Sequence, residues 1–169
     1  MHKLRLLTIL VALAFLAAGC AQPQENRIDA YFCPADHCED RALHEIGAAR
    51  STVDIAMYSF TSRELFSGLE EAGRRGVRVR VVADYLQAAS PSSVVPWLDG
   101  NGVKARTYQK GTTMHNKFAV IDGKTILTGS YNWSTNADER NRENMLIISG
   151  TEIAEAYGEE FFRLWTSAD

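Results

Sequence analysis

The segment 114–146, MHNKFAVIDGKTILTGSYNWSTNADERNRENML, decides how the rest of the chain is read, because it gathers His115, Lys117, Asp122, Gly129, Ser130, Asn132 and Glu143 within thirty residues. HNKFAVID and TILTGS read as two strands, with Asp122-Gly123 between them as a hairpin turn. On a strand, His115 and Lys117 project from one face, which sets an imidazole beside an ammonium. A neutral imidazole is a nucleophile toward phosphorus, and an ammonium neutralises non-bridging oxygens as charge builds up in the transition state. The turn at Gly129 and Ser130 brings a hydroxyl and backbone N–H groups toward the same oxygens, and the Asn132 amide adds a donor. Glu143 is expected to fix the imidazole tautomer through its second nitrogen. Pairing of Glu143 with Arg140 or Arg142 is the alternative. Asp122 is better placed to fix the turn than to touch a substrate. The set suits a phosphodiester; a lone histidine here would instead be read as a packed residue of a strand.

Working outward, the flanks alternate between strand and helix. IDAYF, TVDIAMYSF and VRVRVVAD are predicted strands, and EDRALHEIGAAR and SRELFSGLEEAGRR predicted helices, the second capped by Ser62 and closed by Gly76. SPSSVVPWLDGNG reads as a loop leading into a short helix, and VKARTY as a further strand. After the central segment, NMLIIS is a buried strand and TEIAEAYGEEFFRLWTSA a closing amphipathic helix. This is α/β order. With 46% hydrophobic and 23% charged residues the composition is that of an ordinary globular chain, and 169 residues fit one catalytic domain, expected over 28–169.

The N-terminus lies outside that domain. Lys3 and Arg5 precede the apolar run LLTILVALAFLAA, which meets Ala17, Ala18, Gly19 and Cys20. The run is short beside the about 20 residues a spanning helix needs, so residues 1–19 read as an export signal, with a retained anchor as the alternative. Leu16-Ala17-Ala18-Gly19-Cys20 resembles the lipobox of bacterial lipoproteins, which implies lipidation of Cys20; ordinary cleavage after a small residue is the alternative. Residues 20–27 then form a polar tether. The expected location is exported, either periplasmic or membrane-anchored. In that oxidising setting Cys33 and Cys38 are expected to pair as a disulfide. A structural zinc site would recruit His37 as well and still lack a fourth ligand. The whole chain carries a net charge of −3; loss of residues 1–19 leaves 16 basic against 21 acidic residues, a charge of −5. That balance disfavours a protein that coats nucleic acid and says nothing of a local basic cleft.

The spacing His115, one residue, Lys117, four residues, Asp122, six residues, Gly129-Ser130, one residue, Asn132 resembles the full HKD motif of the phospholipase D superfamily. IDAYFCP, AMYSFTS and RRGVRVRVVAD extend the likeness over residues 28–166 to the small single-motif nucleases of the Nuc type. The resemblance implies a phospholipase D-like α/β fold, a mixed central sheet flanked by helices, with one HKD motif per chain. It also implies a metal-independent phosphodiesterase without cofactors, which passes through a phosphohistidine. That mechanism needs two histidines. His37 and His44 lack a lysine two residues on, so one chain supplies one, and the resemblance implies a homodimer sharing one active site.

The alcohols on either side of the phosphorus are less legible. An endonuclease reading rests on the small size, the single motif and the basic residues Arg74, Arg75, Arg78, Arg80, Lys104, Arg106 and Lys110 as backbone contacts, with solvated surface charge as the alternative. A phospholipase D reading, with a lipid such as cardiolipin, rests on the Cys20 anchor. A binding module without catalysis would leave the motif idle.

Overall fold

The computed structural model describes residues 27–100 and 102–169. The export signal, Cys20 and all of the tether but Arg27 lie outside the described residues. The chain runs β1 (Arg27–Cys33), α1 (Cys38–Ala48), β2 (Thr52–Met57), α2 (Arg63–Arg74), β3 (Arg78–Asp84), α3 (Tyr85–Ala88), α4 (Val95–Leu98), β4 (Val103–Tyr108), β5 (Lys117–Ile121), β6 (Thr125–Gly129), α5 (Thr135–Glu139), β7 (Glu143–Ser149) and α6 (Thr151–Ser167).

The strands form one mixed sheet in the order β1-β7-β6-β5-β2-β3-β4. β2, β3 and β4 are parallel, as crossovers through helices demand; β5, β6, β7 and β1 are antiparallel, as hairpins allow. Side chains alternate between two cores. Val53, Ile55, Val79, Val81, Ala119, Leu127 and Met145 face α1 and α2, while Ala56, Val82, Phe118, Val120 and Ile126 face α6. α2 starts where the Ser62 hydroxyl accepts the Leu65 N–H at 3.0 Å, and ends at Gly76, whose φ of 88° lets the Val77 N–H return to the Ala72 carbonyl.

The seven strands include all those read from the sequence, with three differences. β2 stops at Met57, because Phe60 turns away to bridge Trp133. β5 starts at Lys117, so His115 stands in the connection before the strand and not on it. The short helices α3 and α5 were not foreseen, since four or five residues carry no helical period.

α6 is fastened to the sheet by a charge and by rings. The Arg80 guanidinium makes paired hydrogen bonds of 2.7 and 2.8 Å to the buried Asp54 carboxylate, and lies 4.9 Å from the Phe161 ring centroid and 5.4 Å from that of Trp165. Arg106 stacks on Trp165 at 4.4 Å and donates to its carbonyl.

Asp122 closes the β5–β6 hairpin. With φ of 53° and 61°, Asp122 and Gly123 both have the positive φ of a type I′ turn. The Asp122 carboxylate accepts the N–H groups of Arg50, Ser51 and Thr52 and the Ser51 hydroxyl at 2.7–2.9 Å. Desolvation pushes its pKa up, and these hydrogen bonds outweigh that to bring it down to about 2 from an ordinary 3.8. A carboxyl with a folded-state pKa below its unfolded one adds stability above the unfolded value and loses it as pH falls toward the folded one. Asp122→Asn is therefore expected to cost about 2 kcal/mol at neutral pH, allowing for partial solvent screening. In denaturant titrations the gap from wild type should close between about pH 4 and pH 2; a gap independent of pH would contradict the charged cap.

Candidate active site

The C-terminal ends of β2 and β3 and the start of β5 meet at one end of the sheet, and His115 is delivered there by its approach. The buried Asp84 carboxylate, at the end of β3, accepts the Gln87 N–H at 3.1 Å and the Met114 N–H at 3.2 Å, which pins the residue before His115. The Tyr58 N–H donates to the Asn116 carbonyl at 2.9 Å. Between these two holds the His115 ring is exposed, its centroid 4.4 Å from that of Tyr58.

Although His115 precedes the strand, Lys117 reaches it. The Lys117 Nζ donates to the His115 carbonyl at 2.9 Å and lies 3.3 Å from both ring nitrogens, with the Tyr58 ring centroid 5.0 Å away. Partial burial lowers the Lys117 pKa below its ordinary 10.5, and the nearby Glu143 charge opposes the shift. The ammonium is the form that neutralises an oxyanion, so activity should fall as pH rises through this lowered value. Profiles of kcat/KM against pH are expected to carry an alkaline limb below 10.5 that moves upward in Lys117→Arg; an unmoved limb would assign it to another group.

The turn after β6 supplies the remaining donors. Gly129 has φ of 150° and runs so close to β7 that a Cβ there would collide with the Asn144 carbonyl. This crossing lets the Ser130 and Tyr131 N–H groups both donate to the Asn144 carbonyl, at 3.0 and 3.3 Å. The Ser130 hydroxyl donates to Glu143 at 2.5 Å and accepts the Asn144 N–H at 3.0 Å. The Asn132 side-chain oxygen accepts the Ser59 N–H at 3.3 Å, leaving its amide hydrogens to donate elsewhere.

Of the residues singled out from sequence, the fold brings His115, Lys117, Ser130, Asn132 and Glu143 to one end of the sheet. Asp122 lies at the other end of β5 and serves the hairpin. Glu143 is not bonded to the imidazole: its carboxylate takes the Ser130 hydroxyl and the Asn141 amide, the latter at 3.0 Å. It forms no ion pair with Arg140 or Arg142 either. The basic set proposed for backbone contacts is largely occupied within the chain. Arg74 pairs with Glu71, Arg80 with Asp54 and Lys104 with Asp99; Arg75 and Arg106 donate to carbonyls. Tyr58 and Asp84 escaped the sequence reading because an aromatic and an acid at strand ends carry no motif of their own.

A histidine, a lysine at 3.3 Å and a serine–glutamate pair, in HKD order on a seven-stranded mixed sheet, coincide with what comparison returns. The family model described as "Cardiolipin synthase, PLD-like domain" matches residues 42–165. The chain belongs to the phospholipase D superfamily. Its site is that of a phosphodiesterase of this superfamily. Its fold is similar to that of Nuc from Salmonella typhimurium, with a TM-score of 0.81 and 26% identity over 86% of this chain and 97% of that one. It is 38% identical to the "Mitochondrial cardiolipin hydrolase" of Xenopus laevis, over 89% of this chain and 73% of that protein. It is 39% identical to the Mus musculus protein of the same description, over 81% of this chain and 63% of that one.

Proposed function

We propose that the chain hydrolyses phosphodiesters without a metal ion through a phosphohistidine, and that its main substrate is nucleic acid, cut internally. The observation that carries this reading is the Lys117 ammonium lying 3.3 Å from both nitrogens of the exposed His115 ring. A diester that presents its phosphorus to the imidazole has its non-bridging oxygens beside that ammonium and within the reach proposed for the Asn132 amide. A ring nitrogen bonds to phosphorus and the leaving oxygen departs with the bridging electron pair. His115 of a second copy gives that oxygen a proton. The same group then takes a proton from water, whose oxygen displaces His115 and leaves a phosphomonoester. Since one chain carries one HKD motif, the site is complete only in a homodimer. Glu143 positions Ser130 and Asn141 within this arrangement and holds the end of β7 in place.

The nuclease reading is supported by the likeness to Nuc along nearly the whole of that protein. A second reading, hydrolysis of a phospholipid such as cardiolipin, is supported by the higher identity to proteins described as cardiolipin hydrolases. Export by residues 1–19, anchoring through a lipidated Cys20 and a periplasmic or membrane-bound location complete the proposal. The close approach of Cys33 and Cys38, bonded at a Cα separation of 5.7 Å, suits such a compartment. Free thiols in the exported protein would contradict it.

The deciding experiment offers DNA, RNA and cardiolipin-containing vesicles in parallel, with chelator present. Breakdown of nucleic acid alone establishes the endonuclease; release of phosphatidic acid or head group alone makes the enzyme a phospholipase D. Activity abolished by the chelator would refute the metal-independent mechanism.

A further inference from the structure

At the β1 edge, a groove opens beside the catalytic end of the sheet, lined among others by Phe32, His37, Arg140, Arg142, Glu143 and Asn144. We infer that it is a subsite for single-stranded nucleic acid, in which Arg140 and Arg142 take the phosphate next to the scissile one and Phe32 stacks on a base. This rests on the nuclease reading and adds to it the residues that set substrate length and strandedness.

The groove shares Glu143 with the candidate site, and along the β1–β7 ladder Cys33 faces Glu143 and Phe32 faces Asn144. Arg140 and Arg142 are exposed, and neither is in an ion pair among the described residues, whereas the arginines of the supposed basic stripe are mostly engaged. The turn between them is held: the Arg140 and Asn141 N–H groups donate to the Asn136 carbonyl, and the Asn141 side chain donates to the Glu143 carboxylate. Glu143 is the acid among the lining residues, and its two oxygens already accept from Ser130 and Asn141. Two unpaired guanidinium groups beside a satisfied carboxylate favour an anion.

Phe32 adds what a simple anion site does not need. Its side chain is 63% exposed, on a wall held by the Asp36 carboxylate at the Phe32 N–H and by the neighbouring Cys33–Cys38 link. An exposed aromatic beside arginines is the combination that binds unpaired bases together with their backbone, since each base offers a stacking face only when it is free of the duplex.

The test measures kcat/KM of the full chain on a single-stranded oligonucleotide, its duplex and bis(p-nitrophenyl) phosphate, which carries one phosphate and cannot extend into the groove. The double variant R140A/R142A is expected to lower the ratio of oligonucleotide to small-diester activity by about 10-fold or more, chiefly through KM. The log–log salt slope for the oligonucleotide should weaken by about 0.7, the value for one lost phosphate contact on a single strand. R140K/R142K should keep most of the ratio, because charge suffices for a phosphate. Phe32→Ala should erode the preference for single strand over duplex, and Phe32→Trp should preserve it. An unchanged ratio, or an equal loss on oligonucleotide and small diester, overturns the subsite while leaving the nuclease reading intact. A wild-type chain that cuts the small diester and no nucleic acid removes the nuclease reading itself. A loss by R140A/R142A confined to cardiolipin vesicles overturns the assignment in favour of a lipid.

Discussion

Replacing His115 with asparagine is expected to lower turnover by on the order of 10⁴-fold or more, the scale seen when a nucleophile that forms a covalent intermediate is removed. Asparagine keeps a polar side chain of similar reach but cannot attack phosphorus. The fold should hardly notice: the His115 ring is exposed, and its contacts are the Tyr58 ring and the Lys117 ammonium, so stability should stay within about 0.5 kcal/mol. A second expectation separates a paired site from a solitary one. If each turnover uses His115 from both copies, mixing wild type and variant under exchange gives activity that falls as the square of the wild-type fraction. A linear fall would show that each chain works alone, and wild-type activity in the variant would remove the mechanism altogether.

Gly129→Ala is expected to cost about 3 kcal/mol or more, read as a shift of the denaturation midpoint. Two effects add. The backbone φ of 150° disfavours any residue with a Cβ, and the new methyl would meet the Asn144 carbonyl, which is backbone and cannot swing aside. Relief must come from separating β6 and β7 where Gly129 faces Met145. That shift moves the Ser130 and Tyr131 N–H groups off the Asn144 carbonyl and carries Ser130 away from Glu143. Activity should therefore fall beyond what the unfolded fraction explains, even under conditions that keep the protein folded. A variant of wild-type stability would mean that the crossing relaxes freely.

Much of this was legible in the chain because it depends on local order. Alternating apolar residues gave the strands, Ser62 and Gly76 the ends of α2, and Asp122-Gly123 the hairpin, each a short-range signal with a physical cause. Of the five site residues that do meet, His115, Lys117, Ser130 and Asn132 were recoverable as one motif, since it spans a single hairpin, and Glu143 was singled out beside it. What escaped depends on distant partners. The role of Glu143 turned on whether Asn141 or His115 lay nearer, which spacing does not say. Arg80 and Arg106 read as candidate nucleic-acid backbone contacts, or else as surface charge, whereas Asp54, Phe161 and Trp165 engage them within the fold. Arg140 and Arg142 drew notice only as partners for Glu143, because a groove is a property of two strands far apart in sequence.

The first strand also imposes an order on assembly. β1 occupies an edge and pairs with β7 alone, over seven residue pairs that join Arg27–Cys33 to Glu143–Ser149. A growing chain therefore carries β1 unmatched through the making of every other strand, and the sheet closes only once β7 exists. Contacts between such distant segments slow folding, because a long loop must close before they reward it. The polypeptide thus stays unfinished until nearly its last helix, the condition in which a chain can still be threaded through a narrow passage.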